Sequence, residues 1–434
     1  MWSVSASRWV LWLFLLLPST RVLADFIPPV PTDYDKTKVS LITIGRGDQL
    51  HARMGHSILR IQDFSNNMDY LANWGMFNFQ DPFFIPKFFR GVLMYRMAFS
   101  PYQQTIAYYR DKEQRSVAED ELALTRNQKQ ALIQRIIWNA QPENLYYPYH
   151  YFRNNCATRP RDDLDLALKS GLRRQLGDAR QPVTYRQYVW RNLASNWFVG
   201  WGLDVIFNSD TDFMLTKWEE MFYPLKLREY LRSLDQVDDD GRLIFGRPLV
   251  SNSQVLVDLP EPKEAELDGY LLNCLLTGVL LLLVFALIGI SKVPRSQLFT
   301  LRYRLFGVVS LWWGLTVGFF GLTHFSSWAF SSHTDLYHNI NSMLFWPVDI
   351  LLLIPGIQLA WRGEDFDFKG LLKIGFWQIF ARIHIVFIFL YVIFAYSGVS
   401  SQDVRRVVIY MVPLSLLYYL GMIILLRDSR GKNK

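Results

Sequence analysis

Apolar and polar positions divide this chain of 434 residues into two unlike parts. In the first part the apolar runs are short. Residues 39–44, 57–61 and 70–74 have the length of β-strands, and a polar stretch at 63–67 predicts a hairpin between the last two. In the second part the apolar stretches reach the length of about 20 residues that a membrane-spanning helix requires. Five such stretches lie at about 270–290, 305–324, 341–361, 375–396 and 407–426.

Helices and a linker complete the first part. Residues 126–139 have helical spacing of their apolar positions, and residues 157–168 and 224–234 are two further predicted helices. Residues 250–263 are polar and contain prolines, which predicts a linker. We therefore predict an α+β fold, with an exported mixed domain at 25–265 and an all-α transmembrane domain of five helices at 266–434.

Residues 1–24 have the pattern of an export signal. Arg8 precedes an apolar run at 9–17, and the small-residue pattern of a cleavage site follows at 22–24. The apolar run is too short for a comfortable membrane span, although an uncleaved anchor remains the alternative. Either interpretation places the following domain outside the cytoplasm.

Basic residues in the loops predict the orientation of the helices. The loop after the first predicted span, the loop after the third and the C-terminal tail are rich in Lys and Arg, whereas residues 325–340 and 397–403 contain none. Because cytoplasmic loops carry the positive charge, the C-terminus is predicted to be cytoplasmic and the domain at 25–265 to lie on the opposite side of the membrane. Arg405 and Arg406, just outside the last span, are the exception.

Charge and cysteine content exclude several classes of protein. The net charge is +7, but many of the basic residues lie in loops that would face anionic lipid, so the charge does not require a nucleic acid partner. Cys156 and Cys274 are the only cysteines, and Cys274 falls within the first apolar stretch. A disulfide framework and a thiolate-rich metal site are therefore excluded.

The surroundings of Cys156 favour a nucleophile. Asn155 is a good helix N-cap, and a proline four residues after Cys156 is tolerated only in a first helical turn. A cysteine at a helix N-terminus is stabilised as a thiolate, and Arg153, Arg159 and Arg161 add positive charge. We take these three arginines and Asn155 as candidates for binding substrate. The alternative is that Cys156 is a small buried core residue.

A cysteine nucleophile needs a base, for which His51, His56 and His150 are the histidines of the exported part. We prefer His56, because a glycine precedes it and a predicted strand follows. If the hairpin turns near residues 65–66, His56 lies roughly opposite residue 75, and Asn73 lies on the same face as His56. Asn73 is therefore our candidate for orienting the imidazole, with Asp63 and Asp69 nearer the turn.

Several polar residues in or near the predicted spans are further candidates for a functional role, on weaker grounds than Cys156 and His56. Asp349 and Arg382 lie within predicted spans three and four, and we expect them to face each other or the bundle interior, as a functional or a structural pair. His333 and Asn341, in or beside the outer loop before span three, are candidates for holding a head group. A polar interface loop explains them equally well. The aromatic segment at 77–89 either meets the membrane interface or packs in the core.

Two motifs carry a family resemblance. Residues 54–60 read Met-Gly-His-Ser-Ile-Leu-Arg, and residues 155–162 read Asn-Cys-Ala-Thr-Arg-Pro-Arg-Asp. With further matching stretches over most of residues 40–235, the chain resembles the Lnb-type lipoprotein N-acyltransferase family. The resemblance implies a circularly permuted papain-like fold of the NlpC/P60 type, with Cys156 as nucleophile and His56 as base. Asn78 departs from the family pattern, which usually has an acid at this position.

The resemblance also implies a reaction. An acyl chain would pass from a phospholipid to Cys156 as a thioester, and then to the α-amine of a diacylglyceryl-cysteine lipoprotein. The implied partners are phospholipid, bacterial lipoproteins and the membrane, with no cofactor and no metal. The implied location is a bacterial inner membrane, with the catalytic domain on the periplasmic side. A membrane-tethered peptidoglycan hydrolase and a non-catalytic lipoprotein-trafficking scaffold remain as alternatives.

Overall fold

The structure is a computed structural model that describes residues 27–76, 91–193, 197–265, 297–363 and 373–430, with isolated positions between 77 and 90 and between 266 and 296. The predicted export signal lies outside the described residues. So do nearly all of the first predicted span and of the aromatic segment at 77–89.

A seven-stranded antiparallel sheet organises the N-terminal domain. Its strands lie in the order β6–β4–β3–β2–β1–β5–β9. In chain order they are β1 Thr37–Ile44, β2 His56–Asp63, β3 Met68–Met76, β4 Met94–Pro101, β5 Val117–Leu122, β6 Tyr146–Pro148 and β9 Val250–Val257, while β7 Asp235–Val237 and β8 Leu243–Pro248 form a separate hairpin. Helices cover both faces of the large sheet, and two apolar clusters fill the space beneath them.

Nine-residue β3 and eight-residue β2 form the predicted hairpin. Their register pairs Leu59 with Ala72 and Asp63 with Met68. Asp63 fixes the turn, because its Oδ1 accepts hydrogen bonds from the backbone N–H and the hydroxyl of Ser65. The register therefore follows from a polar turn between two apolar strands, as the sequence indicates.

The helices of this domain begin where side chains can cap them. They are α1 Tyr102–Asp111, α2 Arg126–Asn139, α3 Thr158–Ala167, α4 Gly171–Leu176, α5 Tyr185–Leu193, α6 Trp197–Ile206, α7 Lys217–Glu220 and α8 Pro224–Leu231. Thr125 and Gln128 form a capping box at the start of α2, which buries Leu132 and Ile136 against the sheet. The predicted helices at 126–139, 157–168 and 224–234 are confirmed to within three residues at each end.

The predicted linker at 250–263 is wrong. Residues Val250–Val257 form strand β9, which pairs with β5 along the edge of the sheet. Its side chains are mostly exposed, so the strand carries no apolar alternation that would have revealed it. Backbone hydrogen bonds to β5 hold it in place instead.

Long helices form the C-terminal region, within which three helices are long and apolar enough to cross a membrane among the residues described. They belong to α9 Gln297–Phe330, α11 Ile374–Tyr396 and α12 Arg405–Arg430. The third predicted span is not a straight helix. Segments Thr334–Met343 and Pro347–Arg362 meet at a bend of 54°, and the second of them includes α10 Leu353–Arg362. Pro347 at the start of the second segment, and the cap that Asp349 gives to the N–H of Trp346, explain the break.

Segments at one end of the helical region are hydrogen-bonded to the sheet domain. Asn341 donates to the carbonyls of Asp204 and Val205, and Arg406 forms an ion pair with Asp204. Helix α6 also places Trp201 among the apolar side chains of the membrane helices, against Phe320. The sheet domain is thus fastened to the end of the helical bundle by buried polar and aromatic contacts.

Candidate active site

Cys156 lies in the turn that leads into α3, with 8% of its surface exposed. Asn155 shapes this turn, because its Oδ1 accepts hydrogen bonds from the backbone N–H groups of Ala157 and Thr158. Its Nδ2 donates to the carbonyls of Tyr151 and Phe222. All of the polar atoms of the Asn155 side chain are therefore used within the protein, and they hold the turn that carries the thiol.

His56 is the first residue of β2, and Gly55 before it has a φ of +78°. An ideal Cβ at Gly55 would lie 3.0 Å from the carbonyl oxygen of Ile44, so this position favours glycine for both reasons. The imidazole Nε2 lies 2.7 Å from Oδ1 of Asn73 on the neighbouring strand. Because an amide oxygen only accepts, Nε2 carries the proton, and Nδ1 is left as the basic nitrogen.

Gly75 is where the thiol and the imidazole converge. Its φ is +92°, and it lies at an irregularity in the pairing of β3 with β4. A Cβ at this position would lie 3.4 Å from Cβ of Cys156 and 4.0 Å from Cε1 of His56. The structure thus brings together three residues that are far apart in the sequence: Cys156, His56 and, through its hydrogen bond, Asn73.

Burial makes both reactive groups neutral in the resting protein. Desolvation raises the pKa of the Cys156 thiol to about 11, although the backbone N–H groups of Ser57 and Cys156 and the charge of Arg115 oppose the rise. Desolvation also lowers the pKa of His56 to about 4, although the hydrogen bond that His56 donates to Asn73 opposes this fall. The sequence favoured a resting thiolate at the helix N-terminus. Burial outweighs that effect here, so the thiol must pass its proton to a base as it reacts.

Sequence reasoning missed Arg115. Its side chain is 4% exposed, and it is the cation whose charge acts on both Cys156 and His56. Arg115 stands in an ordinary charged turn between α1 and β5, so no local pattern distinguishes it. Only the pairing of β5 with β1, and of β1 with β2, brings it to the same end of the sheet as His56.

Four tyrosines also lie near the Cys156 thiol, in addition to His56 and Arg115. Tyr95, Tyr109, Tyr147 and Tyr149 are buried close enough to Cys156 for its charge to affect their pKa values, which burial raises. The rings of Tyr95 and Tyr149 stack with centroids 4.0 Å apart. Tyr147 and Tyr149 belong to the aromatic run just before Cys156, which is the signal in the sequence for this half of the cage, whereas Tyr95 and Tyr109 come from distant segments.

The three arginines next to Cys156 have other partners. Arg153 donates to Oγ1 of Thr334, Arg159 lies 4.1 Å above the ring of Tyr147, and Arg161 pairs with Asp162 and stacks on a tryptophan. None of them is among the charges that shift the pKa of Cys156. Their contacts favour positioning of the cysteine turn, and binding of substrate by them stays a prediction.

The loop at 331–338 contacts the same turn. His333 is buried beside the ring of His150, and Asp335 Oδ1 lies 3.0 Å from Nε2 of His150. His150, His333 and Asp335 could together hold a metal ion, since their ligand atoms lie within 4.8 Å of one another. However, Nδ1 of His150 accepts from the backbone N–H of Phe152, so Nε2 bears the proton that Asp335 accepts. This arrangement favours a hydrogen-bonded contact between loops.

Two residues that the sequence analysis singled out in the helical region, Asn341 and Asp349, are buried and hydrogen-bonded within the protein. Asn341 is fully buried, and its Oδ1 accepts from the hydroxyl of Tyr391 while its Nδ2 donates to backbone carbonyls. Asp349 does face the bundle interior, but its partner is His384 at 2.8 Å and not Arg382, which lies exposed on α11. Helix α11 places positions 382 and 384 on different faces, which decides the partner.

These observations define a class of protein. A mixed α/β domain that brings together a buried cysteine, a partly buried histidine and a buried asparagine is fastened to helices that are long and apolar enough to cross a membrane. Residues 31–195 match the family model described as the Lnb N-terminal periplasmic domain. The chain is therefore similar to Lnb-type proteins over residues 31–195, and this match, together with the three long apolar helices, indicates a membrane protein with an N-terminal periplasmic domain.

Neither of the other two comparisons adds a relative. No curated protein matches the chain. No solved structure matches it either.

Proposed function

We propose that this protein is a lipoprotein N-acyltransferase that uses Cys156 as its nucleophile and His56 as its base. The observation that carries the proposal is the convergence of the two side chains at Gly75, with Asn73 holding the Nε2 side of the imidazole. The family match supports it. On this proposal the domain is a permuted papain-like fold, since the strand with the histidine precedes the helix with the cysteine.

The first half-reaction transfers an acyl chain to the enzyme. Nδ1 of His56 takes the proton from the thiol as Sγ attacks the ester carbonyl of a phospholipid. The ester C–O bond then breaks, and the leaving oxygen takes the proton back from His56. The products are a thioester on Cys156 and a lysophospholipid. Backbone N–H groups near Cys156 are candidates for stabilising the intermediate oxyanion.

The second half-reaction transfers the chain to the acceptor. The α-amine of a diacylglyceryl-cysteine lipoprotein attacks the thioester carbonyl, and His56 accepts a proton from the amine. The C–S bond breaks, an amide forms, and the sulfur takes the proton from His56. The thioester is activated relative to the ester that formed it, which favours transfer to an amine.

The contact between the cysteine turn and a loop that follows an apolar helix supports lipid substrates. The loop at 331–338 follows the C-terminal end of α9, and it makes hydrogen bonds to His150 and Arg153 just before Cys156. The reactive thiol would thus lie close to the outer surface of an inner membrane whose lipids donate the acyl chain. On this proposal the C-terminus lies in the cytoplasm, as the basic residues of the C-terminal tail predict.

A labelling experiment tests the proposal. The purified chain is incubated with phospholipid that carries a labelled acyl chain, and the peptide with Cys156 is examined for a hydroxylamine-sensitive thioester. Addition of a diacylglyceryl lipopeptide should then move the label to its N-terminus, as read by mass spectrometry. Transfer of label to the lipopeptide while Cys156 is never labelled would disprove the thioester mechanism. Cleavage of peptidoglycan without any N-acylation would instead favour the hydrolase.

A further inference from the structure

Arg115 occupies an unusual position at the active end of the sheet. Val117 of β5 pairs with Ile44 of β1, and Ile44 pairs with His56 of β2. Arg115 therefore starts two strands away from His56, at about 10 Å between the strand axes. Its side chain reaches back across this gap, because Nε donates to the carbonyl of Gly45, the residue that follows Ile44.

Contacts on two sides fix the guanidinium. Nε lies 2.8 Å from the Gly45 oxygen, and one terminal nitrogen lies 2.7 Å from Oε2 of Glu113. The aliphatic part is also confined, since a Cβ at Gly47 would lie 3.0 Å from Cδ of Arg115. The guanidinium is thus rigid and nearly buried, which suits recognition of an anion at a defined point.

The remaining terminal nitrogen, Nη2, is buried and has no hydrogen-bond partner among the residues described. A buried charged donor without a partner costs free energy, so such groups call for a ligand. The charge of Arg115 acts on both Cys156 and His56, which places the group within electrostatic reach of the reactive pair. Glu113 balances part of this charge but leaves Nη2 unoccupied.

We propose that Nη2 of Arg115 binds a phosphate oxygen of the phospholipid donor while Cys156 attacks the ester of the same lipid. This assignment rests on the proposed function. In a glycerophospholipid the phosphate lies only a few bonds from the esters, so one molecule reaches both groups. A guanidinium N–H is a strong donor to phosphate oxygens, and the contact would select phospholipids over neutral glycerides.

Binding of uncleavable lipids tests Arg115 without the reaction. The full chain in detergent is titrated with a short-chain ether-linked phospholipid and with an ether-linked diglyceride of the same chains. Arg115→Gln should weaken binding of the phospholipid about 10- to 100-fold and leave binding of the diglyceride unchanged. Arg115→Lys, which keeps the charge but loses the fixed geometry, should give a smaller loss. Arg110→Gln is the matched control, since Arg110 is exposed and pairs with Asp111.

The outcomes separate this proposal from the proposed function. Equal affinity of Arg115→Gln and wild type for the ether phospholipid would overturn it. Equal weakening of both ether lipids would do so too, because the arginine would then act on the fold or on the ester region. If the variants behave as expected but wild type forms no thioester from an ester phospholipid, the phosphate site stands and the acyltransferase mechanism falls. Thermal unfolding of each variant in the same detergent identifies any loss of folding.

Discussion

Two histidines, one in the sheet domain and one among the apolar helices, have opposite surroundings. His384 is 2% exposed, its Nδ1 lies 2.9 Å from the carbonyl of Phe380, and its Nε2 lies 2.8 Å from the Asp349 carboxylate. Tyr419 and the backbone of Trp346 complete the contacts of that carboxylate. His56 has one nitrogen held by Asn73 and keeps part of its surface accessible, next to a thiol.

The contrast indicates that His384 has a structural role and that His56 is able to act as a base. Both nitrogens of His384 face a polar partner, as expected of a group that holds helices together in a medium without water. The basic nitrogen of His56 makes no hydrogen bond among the described residues, which leaves it able to accept a proton. A neutral amide partner orients His56 without stabilising its charged form as strongly as a carboxylate would. The following predictions test this difference.

The largest effect is expected from Cys156→Ser. A serine hydroxyl is a far poorer nucleophile beside a neutral imidazole, so acyl transfer should fall by at least about 10³-fold. The unfolding temperature should change little, because the two side chains have nearly the same shape. Acyl transfer to a lipopeptide is measured by mass spectrometry, with Cys274→Ser as the control. Retained transfer in Cys156→Ser would end the nucleophile assignment.

A large loss of stability is expected from His384→Ala. It leaves the Asp349 carboxylate buried without its imidazole, which costs about 3–5 kcal/mol of unfolding free energy for a buried pair. His56→Gln should instead abolish acyl transfer with little change in stability, because no buried charge loses its partner. Thermal unfolding in one detergent measures both variants. Equal destabilisation by the two would contradict the distinction between the histidines.

A smaller effect is expected from Asn73→Ala. His56 loses the acceptor of its Nε2–H, so its ring is no longer held in the tautomer that leaves Nδ1 basic. The rate of thioester formation should fall about tenfold, the equivalent of one hydrogen bond. Single-turnover acylation of Cys156 measures it. Asn73→Gln, which keeps the amide but moves it, should recover little of the rate. An unchanged rate in Asn73→Ala would remove Asn73 from the site.

The mildest test is the pH dependence of Cys156 labelling by iodoacetamide. Only the thiolate reacts, and burial raises the thiol pKa to about 11. The rate should therefore rise about tenfold for each pH unit between pH 7 and pH 10, since the thiolate fraction grows in that proportion below the pKa. A small free thiol, measured in parallel, should level off at lower pH. A plateau already near neutral pH would reveal a thiolate–imidazolium pair.

The elements that the sequence predicted correctly are those that residues close together in the chain determine. The hairpin that carries His56 and Asn73 was predictable because a polar turn sets its register, and the cap at Asn155 because capping involves neighbouring residues. The edge strand β9 was missed because its polar side chains hide the strand pattern. The partner of Asp349 was missed because helix packing, not sequence distance, chooses between Arg382 and His384.

The sequence alone determined which side chains with reactive chemistry exist, the local elements that carry them, and the division between a sheet domain and apolar helices. Tertiary structure decided the rest, because the remaining features depend on distances between elements and on the exclusion of water. Strand pairing brought Arg115 to the same end of the sheet as His56, and the irregularity at Gly75 admitted Cys156 beside the imidazole. Burial, which no local pattern specifies, made the thiol and the imidazole neutral.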